Sequence, residues 1–106
     1  MKLEAGMYVR TKKGTIYKFD TNNSMAKNGA KKYMVNCSYN IIDLIQVGDY
    51  VNDYKVVDII HNNRKLEPST MAYCEYGSRY IGFYNEEIKS VITHEQMEQM
   101  TYKVEE

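Results

Sequence analysis

A chain of 106 residues, 43% hydrophobic and 26% charged, is sized for one domain with a single modest core. Its net charge is zero but uneven: residues 1–33 carry +6, residues 34–83 carry −2 and residues 84–106 carry −4. Two cysteines, Cys37 and Cys74, are too few for a disulfide framework, and no apolar run has the length of a membrane span.

The N-terminus runs straight into charged residues. No signal peptide is expected, and a reducing cytoplasm with free thiols is the expected setting. Tyrosine stands out, with eleven copies against two Phe and no Trp. Such rings can cover a small core while keeping their hydroxyls wet, and they also serve as contact residues at interfaces.

A phrase near the N-terminus, Gly6-Met7-Tyr8-Val9, returns as Gly48-Asp49-Tyr50-Val51. Glycine supplies a permissive bend and Tyr-Val starts a strand by propensity and alternation. The repeat predicts that Val9 and Val51 are both buried and both begin strands of one sheet. Residues 7–12 and 15–19 read as a hairpin across Lys13-Gly14, with Tyr8, Arg10 and Lys12 on its outward face. Residues 20–30 are polar, rich in turn formers and without period, so a long loop is expected there. A strand is expected to resume from Lys31 to Cys37.

Asn40 is placed to cap a short helical turn through Ile41–Ile45. After the second phrase, Asn52-Asp53 makes a turn and Tyr54–Ile60 an apolar strand, ended by a loop over His61–Lys65. Pro68 falls in this connection, where a missing donor is harmless. Met71–Tyr76 and Arg79–Tyr84 flank Gly77-Ser78, a pair suited to a two-residue II′ turn. That register sets Cys74 opposite Ile81 and Ala72 opposite Phe83. It leaves Met71, Tyr73, Glu75, Tyr80 and Tyr84 on the other face, more apolar than solubility requires. Ile88–Ile92 reads as a further strand. Thr93 and Gln96 form a capping box for a short helix in which Met97 and Met100 would face the core. Tyr102-Lys103-Val104 reads as a terminal strand or tail.

The expected fold is mainly β: a small curved antiparallel sheet or SH3-like β-barrel with one short C-terminal α-helix. No catalytic constellation accompanies it. His94-Glu95 starts like a zinc-protease helix, but Glu98 stands where the second histidine belongs. Asp43, Asp49, Asp53 and Asp58 lack the spacing of a calcium loop and read as turn formers and solvated strand ends. No cofactor, metal or catalytic residue is expected. Two binding surfaces compete. Tyr73, Glu75, Tyr80 and Tyr84 suit a protein partner. Tyr8, Arg10, Lys12, Lys13 and Lys18 form a basic stripe with an aromatic in it, the alternative for nucleic acid. The simpler reading of that stripe is a lysine-rich edge that discourages aggregation.

Asn40 to Asn52 (Asn-Ile-Ile-Asp-Leu-Ile-Gln-Val-Gly-Asp-Tyr-Val-Asn), Ile88 to Met97 and Tyr102-Lys103-Val104 belong together. With Gly6 to Thr11 they resemble small proteins carried by phages and prophages of Gram-positive bacteria. The resemblance covers about half of the chain, and its motifs are structural, so it brings no site residues with it. It implies stoichiometric binding to host machinery in the bacterial cytoplasm. The implied partner is a host protein, with CRISPR effector nucleases foremost and counter-defence inhibition as the outcome.

Overall fold

The computed structural model describes residues 2–62 and 69–100. Among them are eight strands and two α-helices: β1 Tyr8–Thr11, β2 Ile16–Lys18, α1 Ser24–Tyr33, β3 Met34–Ser38, β4 Tyr50–Val51, β5 Tyr54–Asn62, β6 Ser69–Tyr76, β7 Arg79–Tyr84, β8 Val91–Ile92 and α2 His94–Met100. The chain is mainly β with a short C-terminal helix, as its patterning indicates. The strands divide into two open antiparallel sheets, ordered β2-β1-β3 and β7-β6-β5-β4-β8, and neither closes into a barrel.

The repeated phrase is structural in both copies. Gly6 and Gly48 have φ of +92° and +98°, a region open to glycine and strained for other residues. Gly6 N–H donates to the Phe19 carbonyl, and Phe19 N–H returns a bond to Met7, both at 2.7 Å. Gly48 and Val56 repeat this exchange at 2.9 Å, with Val56 bonding Asp49 at 2.8 Å. Met7 and Asp49 each bond back to the residue three before, Glu4 and Gln46. Val9 and Val51 are both fully buried and each lies second in its strand. One expectation fails: the two valines belong to different sheets. Each copy opens its own hairpin, β1-β2 or β4-β5, in a sheet of its own.

Each sheet consequently has its own small core. Leu3, Val9 and Phe19 form one, with Met7, Ala30, Met34 and Cys37 packed around them. Ile42, Ile45, Val51, Val56, Ala72 and Cys74 form the other, joined by Tyr54, Ile59, Ile81 and Phe83 among others. Tyr54 serves as core cover: it packs on the second core, meets Tyr76 edge-on at 5.3 Å and stacks on Phe83 at 6.0 Å.

Local turn chemistry holds. Asn52 and Asp53 both have positive φ, the signature of a type I′ hairpin turn, and Val51 pairs with Tyr54 across it. Cys74 faces Ile81 and Ala72 faces Phe83. Thr93 and Gln96 make the capping box, Thr93 N–H to Gln96 Oε1 at 3.1 Å and Gln96 N–H to Thr93 Oγ1 at 3.3 Å.

Other expectations are corrected. The loop over residues 20–30 is mostly helix, because α1 occupies Ser24–Tyr33, and the next strand starts at Met34 rather than Lys31. Asn23 caps α1, its Oδ1 accepting from Met25 and Ala26 N–H at 2.9 and 3.2 Å. The turn after Asn40 forms as 3-10 helix over Ile41–Leu44, but Asn85 Oδ1 takes the Ile42 N–H in place of an Asn40 cap. β5 continues through Asn62. Only Val91–Ile92 of the 88–92 strand is extended and paired. Met100 faces outward, 70% exposed, while Met97 is half-buried. Pro68 and Tyr102–Val104 lie outside the described residues. No helix among the described residues is long and apolar enough to cross a membrane.

Burial gives Cys74 a chemical signature. Loss of hydration pushes its thiol up to about 11, so about one molecule in a thousand carries a thiolate there at pH 8. Iodoacetamide at that pH should leave Cys74 unmodified in the folded protein and label it in urea. Mass spectrometry of the peptide spanning residues 69–79 checks this, and rapid labelling without denaturant would contradict a closed core.

Candidate functional site

Three polar or aromatic groupings emerge from the fold. The first is the outer face of β5-β6-β7. Register places Ile60 beside Met71 and Tyr84, and Asp58 beside Tyr73 and Gly82, with Glu75 opposite Tyr80. Directly opposed residues on antiparallel strands share a face, so these side chains form one surface. Tyr80 is 58% exposed and Tyr84 45%. Tyr73 and Tyr80 stack diagonally, with ring centroids 5.1 Å apart and planes 19° from parallel. The Met71 thioether lies across Gly82, where a Cβ would collide with it. The inner face of the same strands carries Val56, Ala72 and Cys74, all fully buried. Tyr73, Glu75, Tyr80 and Tyr84 are therefore brought together as the alternation indicates, on a rigid support.

The second grouping is a buried ion pair joining the two sheets and α2. Arg10 on β1 and Asp49 ahead of β4 both have no exposed side-chain surface. Arg10 Nη2 donates to Asp49 Oδ1 at 3.0 Å and to Glu95 Oε2 at 2.7 Å. Arg10 Nη1 donates to Asp49 Oδ2 and to the Leu44 carbonyl at 2.9 Å. Asp49 also accepts the backbone N–H of Gln46 at 2.7 Å and of His94 at 2.9 Å. Burial alone would lower the guanidinium's pKa. The hydrogen bonds and charges of Asp49, and then of Glu95, outweigh it and hold the pKa above its ordinary value. Thr93 completes the junction by donating its hydroxyl to the Gly14 carbonyl at 2.7 Å.

Asp49, His94 and Glu95 lie close enough to suggest metal ligands. The chemistry of the donor set argues otherwise. Both Asp49 oxygens are already engaged by four N–H donors, and a permanent cation sits against Asp49 and Glu95. A second cation there would face the Arg10 charge at contact distance. The group is a structural junction.

Arg10 and Asp49 correct two sequence readings. Arg10 cannot line a nucleic-acid stripe, because β1 is the central strand of its sheet and both of its faces are covered. Asp49 does close the turn that starts at Gln46, but its carboxylate is a fully buried ion-pair partner and not a solvated strand end. Of the remaining stripe, Tyr8 is half-buried in a cleft with Tyr39 and Ile88, while Lys12, Lys13 and Lys18 are exposed.

The third grouping was not legible at all. Lys12 N–H bonds the Tyr33 carbonyl at 2.9 Å, which ties the β1–β2 turn to the last residue of α1. A cleft of about 530 Å³ opens there, lined by Thr11, Lys12, Lys13, Thr15 and Tyr33.

No protein-family profile, curated protein or solved structure matches this chain. The fold and these surfaces define it, among the described residues, as a two-sheet β protein pinned by a buried ion-pair junction.

Proposed function

We propose that the chain is a non-catalytic binding protein that takes a protein partner on the outer face of β5-β6-β7. The supporting observation is the two-sidedness of these strands. One face closes the core, and the other turns Ile60, Met71, Tyr73, Tyr80 and Tyr84 toward solvent. A stacked pair of large, stiff rings on a fixed sheet loses little side-chain entropy on binding, which is what makes Tyr an effective anchor. Asp58 and Glu75 edge the surface. Their carboxylates repel a phosphate backbone and suit a partner with an apolar centre and a basic rim. Following the resemblance in the Asn40–Asn52 and Ile88–Met97 phrases, host defence nucleases are the first partners to test, with inhibition by occupancy as the outcome.

The test is affinity capture from a Gram-positive host extract, followed by titration of the captured protein. Tyr80→Ala is expected to weaken that complex by about 2 kcal/mol, roughly thirtyfold, and Tyr73→Ala similarly. Single changes at Lys12, Lys13 or Lys18 should leave it within a fewfold. Full affinity in both tyrosine variants, with loss in the lysine variants, would reverse the assignment of the face.

A further inference from the structure

We propose that the cleft between the β1–β2 turn and the end of α1 binds single-stranded nucleic acid, with Tyr33 stacking on a base and Lys12, Lys13, Lys31 and Lys32 holding phosphates. This site is separate from the tyrosine face and stands or falls independently of it.

Tyr33 is a large ring left 66% exposed at the end of a helix. Lys31 and Lys32 precede it in the last turn of α1, and Lys12 and Lys13 line the cleft beside it. All four lysines are exposed. Among the described residues none of their ammonium groups forms an ion pair, although Glu4, Asp49 and Glu95 do so elsewhere. Cations in the last turn suit the helix dipole, which accounts for Lys31 and Lys32. It does not account for Lys12 and Lys13, which come from a different element, nor for the open ring that lines the cleft with them.

The backbone under this cluster is held on both sides. Lys12 N–H bonds the Tyr33 carbonyl at 2.9 Å, and Gln99 Nε2 donates to the Lys13 carbonyl at 3.1 Å. The cleft is thus preformed, and its volume of about 530 Å³ falls in the usual range for small-ligand sites. Unpaired ammonium groups around an exposed aromatic ring match the two demands of a single strand, charge along the backbone and a π-face for its bases. A duplex keeps its bases stacked on one another and offers no such face to Tyr33.

Fluorescence anisotropy with a labelled oligothymidylate tests the proposal. The wild-type chain should bind saturably at low salt, with log K falling linearly in log salt concentration. Lys12→Ala, Lys13→Ala, Lys31→Ala and Lys32→Ala should each reduce that slope by about 0.7. Tyr33→Ala should weaken binding roughly five- to a hundredfold, and Tyr33→Leu should do the same, because it keeps apolar bulk without a π-face. Tyr33→Phe should bind like wild type. These side chains are exposed and α1 buries no residue, so the variants keep their fold, which circular dichroism verifies. Tyr80→Ala should bind the oligonucleotide normally. Absence of saturable binding at low salt overturns the proposal. So does undiminished binding by both Tyr33 variants, or poly-aspartate binding as tightly as the oligonucleotide, either of which marks the patch as a general anion or acidic-peptide surface.

Discussion

Asp49→Ala is expected to lower stability by about 3–5 kcal/mol, the usual cost of leaving a buried charge without its partner. Arg10 has no exposed side-chain surface. Without Asp49 its guanidinium keeps only the Leu44 carbonyl and Glu95, and the Gln46 and His94 N–H groups lose their acceptor. Domains of this size have about 5–15 kcal/mol in all, so the variant should be largely unfolded at modest denaturant. Glu95→Gln is the contrasting change. Its side chain is 22% exposed and Arg10 keeps Asp49, so a loss of about 1 kcal/mol is expected. These figures are costs of breaking the pair and do not measure its net contribution to folding. Because the pKa of Arg10 is raised, its contribution is complete below the guanidinium's ordinary pKa and is lost as pH rises from that value through the higher folded one. The cation therefore persists across the working pH range, and alkaline titration should not release the junction. Urea melts of the two variants check the ranking. An Asp49→Ala midpoint close to that of wild type would mean that the two sheets are held by packing alone.

What the sequence revealed was decided over short distances. The Asn52-Asp53 and Gly77-Ser78 turns, the Cys74–Ile81 and Ala72–Phe83 pairs and the Thr93–Gln96 box all depend on neighbours within about ten residues. The tyrosine face was legible for the same reason, since one two-residue turn sets its register. α1 was missed because it buries no residue fully and sets little more than Ala30 against the core, which leaves too few apolar positions to make a period. Its local signals were present: Asn23 as a cap, and Lys31 and Lys32 in the final turn. Losing α1 also hid the lysine and Tyr33 cleft, whose halves are about twenty residues apart.

Arg10 shows the other limit. Alternation sorts side chains to two faces of a strand but does not say that both are covered. Val9 and Arg10 are adjacent, point opposite ways and are both fully buried. What covers Arg10 comes from Asp49 and Glu95, 39 and 85 residues away. The duplicated phrase similarly marked two equivalent turns without stating that each begins its own sheet.

The same substitution at two glycines should move stability in opposite directions. Gly14 has φ of +88°, and a Cβ there would meet the Thr93 hydroxyl and lie 2.7 Å from Glu95 Cβ. Gly14→Ala thus combines about 1–2 kcal/mol of backbone strain with displacement of Thr93, whose hydroxyl caps α2 and bonds the Gly14 carbonyl. Glu95, pushed aside, would also loosen its bond to Arg10. A loss of about 3 kcal/mol is expected, lowering Tm by more than about 10 °C. Gly29 lies inside α1 with nothing within 4 Å of its absent Cβ. Gly29→Ala should stabilise by about 0.5–1 kcal/mol, through the backbone freedom that alanine removes from the unfolded chain. Thermal melts followed by circular dichroism distinguish the two. A shared sign would break the argument at an identifiable point. If both are stabilising, the turn at Gly14 yields without disturbing the cap, and the junction tolerates movement of α2. If both are destabilising, some interaction of α1 requires glycine at position 29.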